Sequence, residues 1–204
     1  MPTEISEFLG CYLRHGPLRL GEVQIFPDYR LCHVDDSERA DLANFTDPHD
    51  AIEIARSDDS GNYRPLKTAP NLRHGWQLRL KTLEQVVLAL DFLYPAALGT
   101  ALAFTRQTLK EVDLRQTLAR QTGMYAITRK ITDQQAEATI LRTCNHQHGC
   151  IRCILWSISS GHPTPFSYRP SEIPWSNNEL PILCAEACNL LVAAARKTVK
   201  SART

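Results

Sequence analysis

Five cysteines are grouped in the last third of this 204-residue sequence. Three of them fall within ten residues, as Cys144-x5-Cys150-x2-Cys153, and two follow as Cys184-x3-Cys188. Thiolates bind zinc and iron–sulfur clusters, and a four-iron cluster is held by four thiolates that converge on one volume. The grouping therefore predicts a metal centre in this part of the chain.

Two metal centres suit such a set of cysteines. Structural zinc sites usually combine two short CxxC-like knuckles, and Cys184-x3-Cys188, which we expect inside a helix, makes a poor knuckle. His146 and His148 lie close to these cysteines in the sequence and could also bind zinc, so zinc stays an alternative. We predict a [4Fe-4S] cluster, with Zn2+ as the alternative.

Four of the five cysteines are predicted to be ligands: Cys144, Cys150, Cys184 and Cys188. Cys153 is the reserve ligand, because the apolar run around it (IRCILW, 151–156) also suits a core residue. Either cysteine of the CxxC pair, Cys150 or Cys153, could be the ligand. A predicted helix from Leu183 to Lys200 would place the last two ligands four residues apart on one face. Its N-terminal end would favour the negative charge of thiolates.

The remaining cysteines, Cys11 and Cys32, are isolated, and we expect them to be small core residues. The N-terminal residues lack the basic and apolar segments of a secretory signal, and the longest apolar run, Leu190–Ala195, is too short to cross a bilayer. We therefore expect a cytoplasmic protein, where structural disulfides are rare, without a membrane association.

The elements that must position these residues predict an α+β fold. A β-hairpin or small sheet is expected in the first 34 residues, from strands at Leu18–Phe26 and Tyr29–Val34. The predicted helices of the first part are Asp35–Arg56, Glu84–Tyr94 and Ala96–Arg106. We expect the fold to continue as a mainly helical, cysteine-bearing part, so that residues 1–120 and 121–204 form two domains.

Two local signals refine the second part. Tyr125–Ile131 alternates like a strand or an extended connector. Thr132 with Gln135 then matches a capping box, which predicts a helix that continues to about Arg142.

A basic stretch lies between residues 62 and 83 and contains no acidic residue. Its candidate anion-binding residues are Arg64, Lys67, Arg73 and Arg79. They could hold an anionic small molecule, with a solvated surface as the alternative interpretation. The whole chain has a net charge of only +1, so its charge does not favour nucleic acid as a partner. His33, in CHVDD, is interpreted as an ordinary surface or turn histidine.

Four stretches resemble the iron–sulfur region attached to some bacterial sirohydrochlorin cobaltochelatases: YRPLKTAPNLRHGW (63–76), RQTGMY (120–125), CIRCILW (150–156) and CEACNLLVAAAR (184–196). In that family a stabilising segment precedes a [4Fe-4S]-binding domain. The resemblance implies that residues 1–120 are the stabilising domain and that residues 121–204 bind the cluster. The chelatase itself is a separate α/β domain with metal-binding histidines, for which this chain has no room.

These observations lead to a functional expectation. We predict an iron–sulfur protein that acts in electron transfer or redox support, with a role in tetrapyrrole or cobalt metabolism. Its expected partner is a redox protein or a chelatase. The alternative is a non-enzymatic interaction module that zinc or a cluster only staples together. The sequence carries no P-loop, dinucleotide fingerprint or nucleophile elbow, and it leaves open whether the protein is an enzyme.

Overall fold

The computed structural model describes residues 2–109, 112–144, 149–154, 156–157, 176–184 and 188–202. It divides into two compact units. The first unit comprises Met1–Thr108 and Pro174–Ile182, and the second comprises Leu109–Ile173 and Leu183–Thr204. The predicted domain boundary at residue 120 stays a prediction.

The helices are α1 (Pro2–Leu13), α2 (Asp50–Arg56), α3 (Leu83–Leu93), α4 (Ala97–Thr105), α5 (Leu114–Ala119), α6 (Asp133–Thr143) and α7 (Asn189–Ser201), with 3-10 helices at Val34–Asp36 and Gly123–Lys130. The strands are β1 (Leu18–Leu20), β2 (Val23–Ile25), β3 (Arg30–His33), β4 (Ala43–Phe45), β5 (Trp76–Arg79), β6 (Val112–Asp113), β7 (Cys153–Ile154), β8 (Trp156–Ser157), β9 (Glu179–Leu180) and β10 (Leu183–Cys184). A mixed sheet with helices forms the first part and helices dominate the second part, so the predicted α+β class is confirmed.

A mixed sheet organises the first unit, with the strand order β4-β5-β3-β2-β1-β9. The four central strands pair antiparallel, whereas β4 pairs parallel with β5 and β9 pairs parallel with β1. Alternate residues such as Leu18, Leu20, Val23 and Ile25 are completely buried. Because successive strand residues face opposite sides, this alternation buries one face of the sheet.

The second unit is built around α6 and α7. Its buried core consists of Leu118, Ile131, Ala136, Ile140, Cys184, Leu191, Val192, Ala195 and Val199, and Cys144 packs against it. The predicted capping box is present: the Thr132 hydroxyl accepts the amide hydrogen of Gln135, and the Gln135 side chain accepts that of Thr132. This pair sets the start of the helix that leads to Cys144.

The N-terminal prediction was wrong in one element. Residues 2–13 form helix α1 rather than β structure. Ser6, Leu9 and Leu13 are buried at helical spacing, but Gly10 interrupts the pattern. A Cβ atom at Gly10 would lie 3.1 Å from Cδ2 of Leu83, so this glycine allows α3 to pack closely against α1.

Three further segments differ from their predicted structure. Leu18–Phe26 is not one bulged strand, because β1 and β2 form a hairpin that turns at Gly21, whose φ is +60°. Asp35–Arg56 is helical only in its first two residues and in α2, and β4 lies between them. Gly123–Lys130 is a 3-10 helix rather than a strand.

Among the described residues, no single helix is long and apolar enough to cross a membrane, and α3 and α4 meet the length and composition criteria only as a pair bent by 106°.

Candidate metal centre

All four predicted ligands lie in the second unit, and each belongs to a different type of backbone segment. Cys144 is the residue at which α6 ends, and Cys188 is the residue from which α7 begins. Cys184 belongs to strand β10, and Cys150 follows the turn at Gly149. The loop residues 145–148, which include both predicted histidine alternatives, lie outside the described residues.

Cys144 interacts electrostatically with the other three predicted ligands. Burial, followed by Coulombic repulsion from Cys150, Cys184 and Cys188, raises the pKa of the Cys144 thiol to about 12. Each of the other three thiols is therefore within electrostatic reach of this sulfur. The structure thus places the thiol of Cys144 near the other three cysteines, and the choice of these four as ligands stays a prediction.

The four side chains differ in their exposure. Cys150 and Cys184 are buried, with 9% and 7% of their surface exposed, and Cys144 is half-buried. Cys188 is exposed. The group therefore rests on the core of the second unit at one side and reaches solvent at the other.

Cys184 and Cys188 do not share a helical face as predicted. The helix begins only at Asn189, and Cys184 lies on a short strand that pairs parallel with β7. The correction has a physical reason, because pairing of β10 with a strand thirty residues earlier is a non-local contact that local periodicity does not reveal. In the register of this pair, Ile154 lies opposite Cys184, and the reserve ligand Cys153 lies opposite Leu183. The side chain of Cys153 is outside the described part of the structure.

The helix-terminus argument holds for Cys188 alone. Its backbone is extended (φ −66°, ψ 161°), and its carbonyl oxygen accepts the amide hydrogen of Val192, at 3.1 Å. The first amide groups of a helix lack partners within the helix, and the helix dipole is positive at this end. Cys188 therefore stands at the N-cap of α7, where its side chain makes no capping hydrogen bond.

The donor set fits a thiolate-bound metal centre. Negative charge at Cys150, Cys184 or Cys188 opposes ionisation of the Cys144 thiol, and two of the four cysteines are buried, so a cation among them would favour the thiolate forms. Metal ions and iron–sulfur clusters supply that positive charge when thiolates bind them. Cys144, Cys150, Cys184 and Cys188 are the residues that would hold such a group.

The predicted anion-binding residues have different surroundings in the structure. Arg64 is 1% exposed, and its guanidinium donates to the side-chain oxygen of Asn71 and to the carbonyl oxygens of Ala55, Lys67 and Ala69. The ammonium group of Lys67 also donates to the carbonyl of Ala55, at 2.8 Å. Both side chains therefore brace the segment between α2 and β5. Arg73 is half-buried and Arg79 is exposed, and anion binding by this stretch stays a prediction.

The sequence interpretation missed two residues that support the candidate centre. Thr139 on α6 and Thr198 on α7 lie with their hydroxyl oxygens 2.9 Å apart, and Arg142 also donates to Thr198. Each threonine lies within a helix whose end carries a candidate ligand. A threonine on the inner face of each predicted helix could have pointed to this contact, because a buried hydroxyl needs a hydrogen-bond partner.

Comparison with protein families now identifies the two parts of the chain. Residues 106–197 match the family of 4Fe-4S iron-sulfur cluster binding domains, and residues 13–105 match the DR2241 stabilising domain. The C-terminal part is thus similar to 4Fe-4S iron-sulfur cluster binding domains, and the part before it is similar to the DR2241 stabilising domain. The resemblance stated from the sequence is confirmed, and neither match supports the zinc alternative.

One solved structure is similar over nearly the whole chain. DR2241 from Deinococcus radiodurans superposes with a TM-score of 0.74 at 31% sequence identity and covers 96% of this chain. Its crystal structure is described as that of a multi-domain protein with structural similarity to chelatases and with two additional novel domains. The present chain spans 42% of DR2241. No curated protein sequence matches the chain.

Proposed function

We propose that the chain holds one [4Fe-4S] cluster through the thiolates of Cys144, Cys150, Cys184 and Cys188 and that it acts in electron transfer. The observation that supports this most is the electrostatic interaction of the Cys144 thiol with the thiols of Cys150, Cys184 and Cys188. The family match of residues 106–197 supports the type of cluster. When bound, a cluster of this type supplies single electrons over a wide range of potentials.

The protein residues have three tasks in this proposal. Cys150 and Cys184 bind from the buried side, where the core of the second unit excludes water. The amide groups at the start of α7 stabilise negative charge at Cys188. The exposure of Cys188 leaves an edge at which a redox partner can approach. Burial and amide donors together set the reduction potential.

We propose a chelatase or a redox protein as that partner, in tetrapyrrole or cobalt metabolism. The support is the similarity to DR2241, which is described as structurally similar to chelatases and is much longer than this chain. The cytoplasm is the proposed location, because a reducing compartment keeps the cysteines available as thiols.

Cysteine-to-serine variants of the anaerobically reconstituted protein test the ligand set. The unaltered chain should be brown and contain four irons and four sulfides, and each of C144S, C150S, C184S and C188S should lose most of this iron. C11S is the matched control, because Cys11 is exposed on α1 and belongs to the first unit. Loss of the cluster in C153S, with retention in C150S, would replace Cys150 by Cys153 in the ligand set. A colourless protein with one zinc per chain would contradict the proposal.

Electron transfer needs a separate measurement. Reductive titration monitored by electron paramagnetic resonance should convert the cluster reversibly, without loss of iron, within the range of about −700 to +450 mV known for such clusters. A cluster that is not reduced in this range would favour the alternative in which it only staples the fold.

A further inference from the structure

Two histidines and several carboxylates converge in the first unit, away from the cysteine sequence. His33 ends strand β3 and His74 lies just before β5, and these two strands are antiparallel neighbours. The two imidazole rings lie 3.9 Å apart between centroids and are inclined by 50°. The sheet therefore places side by side two imidazoles that are about forty residues apart in sequence.

A carboxylate oxygen of Asp35 lies near one nitrogen of each ring. Its Oδ2 atom is 3.7 Å from Nδ1 of His33 and 3.6 Å from Nε2 of His74. One ligand atom from each of these three residues lies within 4.8 Å of the other two. Ligand atoms around a zinc-sized ion at about 2.0–2.2 Å lie roughly 3–3.5 Å apart, so a small contraction would complete the arrangement.

Each histidine also has a carboxylate at its other nitrogen. Nδ1 of His74 lies 2.7 Å from Oδ2 of Asp59, whose Oδ1 accepts the backbone amide hydrogen of His74. Nδ1 of His74 is therefore the nitrogen that donates, which leaves a lone pair at Nε2, toward Asp35. Nε2 of His33 faces Oε1 of Glu22 at 4.0 Å. Metal-binding histidines are oriented by carboxylates as His74 is by Asp59, whereas the Glu22 carboxylate is too far from His33 for a hydrogen bond.

The side chains of His33, His74 and Asp35 differ in their exposure to solvent. His33 is 3% exposed, and its Nε2 has no hydrogen-bond partner among the residues that the structure describes. The His74 and Asp35 side chains are 39% and 75% exposed. Buried Asp36 accepts the amide hydrogen of Gly75, at 2.6 Å, and so ties the His74 segment to the 3-10 helix that carries Asp35. This group of side chains is thus buried at His33 and open to solvent at His74 and Asp35.

We propose that Nδ1 of His33, Nε2 of His74 and a carboxylate oxygen of Asp35 bind one divalent first-row transition-metal ion. Imidazole and carboxylate are the ligands that zinc, cobalt and nickel accept, and three protein ligands leave positions for water or a small molecule. The exposed side of the site would hold these positions. Binding replaces the 3.2 Å hydrogen bond that the Asp35 amide donates to Nδ1 of His33. His33 was interpreted as a surface or turn histidine; it caps the 3-10 turn Val34–Asp36 but is buried. The metal site proposed for it is independent of the iron–sulfur proposal.

Titration of the full-length chain with Co2+ under anaerobic conditions tests the site. Cobalt bound by nitrogen and oxygen has visible ligand-field bands without the intense charge-transfer bands of thiolate-bound cobalt, so the spectrum separates this site from the cysteines whether or not a cluster is present. We expect one equivalent of nitrogen- and oxygen-bound Co2+ per chain, lost in H74Q and in D35N. D59N should weaken binding by about 10–100-fold, as expected for a carboxylate that orients a ligand histidine.

H49Q is the matched control, because His49 forms an exposed pair with Asp47 (Nδ1–Oδ1, 2.8 Å), like the pair of His74 with Asp59. It should leave the titration unchanged. Circular dichroism establishes that each variant is folded, and if H74Q is not, D35N decides because Asp35 is largely exposed. Binding that is equal in D35N and the unaltered chain, or equally lost in H49Q, would overturn the proposal. Zn2+-dependent shifts of the Asp35 amide resonance provide a second readout.

Discussion

The hydroxyl oxygens of Thr139 and Thr198 lie 2.9 Å apart and join α6 to α7 in the second unit. Thr139 is 1% exposed, and its hydroxyl also donates to the carbonyl oxygen of Gln135, at 2.7 Å, so Thr198 is one of two partners in a dry environment. Helix α6 ends at Cys144 and helix α7 begins after Cys188. This contact therefore helps to fix two of the four proposed ligands relative to each other.

Removal of the Thr198 hydroxyl should loosen this contact. We predict that T198V lowers the free energy of unfolding by about 1–2 kcal/mol, because Thr139 and Arg142 each lose a partner. T198S should behave like the unaltered chain. Urea denaturation measures the change, and iron release on chelator addition should be faster in T198V. T105V, which removes a hydroxyl bonded to Leu102 of its own helix, is the control. Equal iron release from T198V and T105V would contradict the link between this contact and the ligands.

The start of α6 offers a second prediction. T132A should destabilise the protein by about 1 kcal/mol, because the amide of Gln135 in the first turn of α6 loses its hydrogen-bond acceptor. Thr122 precedes the 3-10 helix Gly123–Lys130 and makes no capping hydrogen bond with its side chain, so T122A should be nearly neutral. Thermal unfolding of the two variants under the same conditions checks the difference, and an equal effect would show that the capping box is not the cause.

Arg64 should be a stability residue. Burial lowers the pKa of its guanidinium, which nevertheless donates to Asn71 and to three backbone carbonyls. Because hydrogen bonds of charged groups contribute roughly 1.5–3 kcal/mol each, R64M should lower the free energy of unfolding by at least about 3 kcal/mol. R79M, which changes an exposed arginine on β5, should change it by less than about 0.5 kcal/mol. Similar values for both variants in urea denaturation would refute the bracing role.

The two isolated cysteines should differ in reactivity. Burial raises the pKa of the Cys32 thiol to about 11, and this residue is completely buried, whereas Cys11 is exposed. The thiolate is the reactive form, so iodoacetamide should label Cys11 and leave Cys32 unlabelled until the chain unfolds. Peptide mass spectrometry of the native protein checks this, with C11S as the control. Rapid labelling of Cys32 in the native state would show that β3 opens locally.

Local signals in the sequence predicted much of the fold. Helix α3 is bounded by Thr82 and the Pro95 region, and α6 by its capping box, so both were predicted within a few residues. Helix α1 was missed because Gly10 breaks an otherwise helical pattern and is explained only by the close approach of Leu83. The features that could not be predicted from the sequence are mainly those that depend on tertiary packing.

The candidate centre shows the same division. The spacing of the cysteines predicted that they form a group, because so many thiols rarely gather without a metal. The strand environment of Cys184 was not predictable, because it depends on pairing with Cys153–Ile154. The proximity of His33 and His74 was not predictable for a similar reason, since only the pairing of β3 with β5 makes them neighbours.

Strand β9 has a consequence for how the protein can be divided. It completes the sheet of the first unit beside β1, and the Arg19 amide donates to the carbonyl of Asn178, at 2.8 Å. Most of the residues of the second unit lie between these two partners in the sequence. No single proteolytic cut can therefore release the first unit intact. A fragment that stops at Thr108 would present β1 as an open sheet edge, which is prone to self-association. Gene fission or domain exchange would have to carry both segments together.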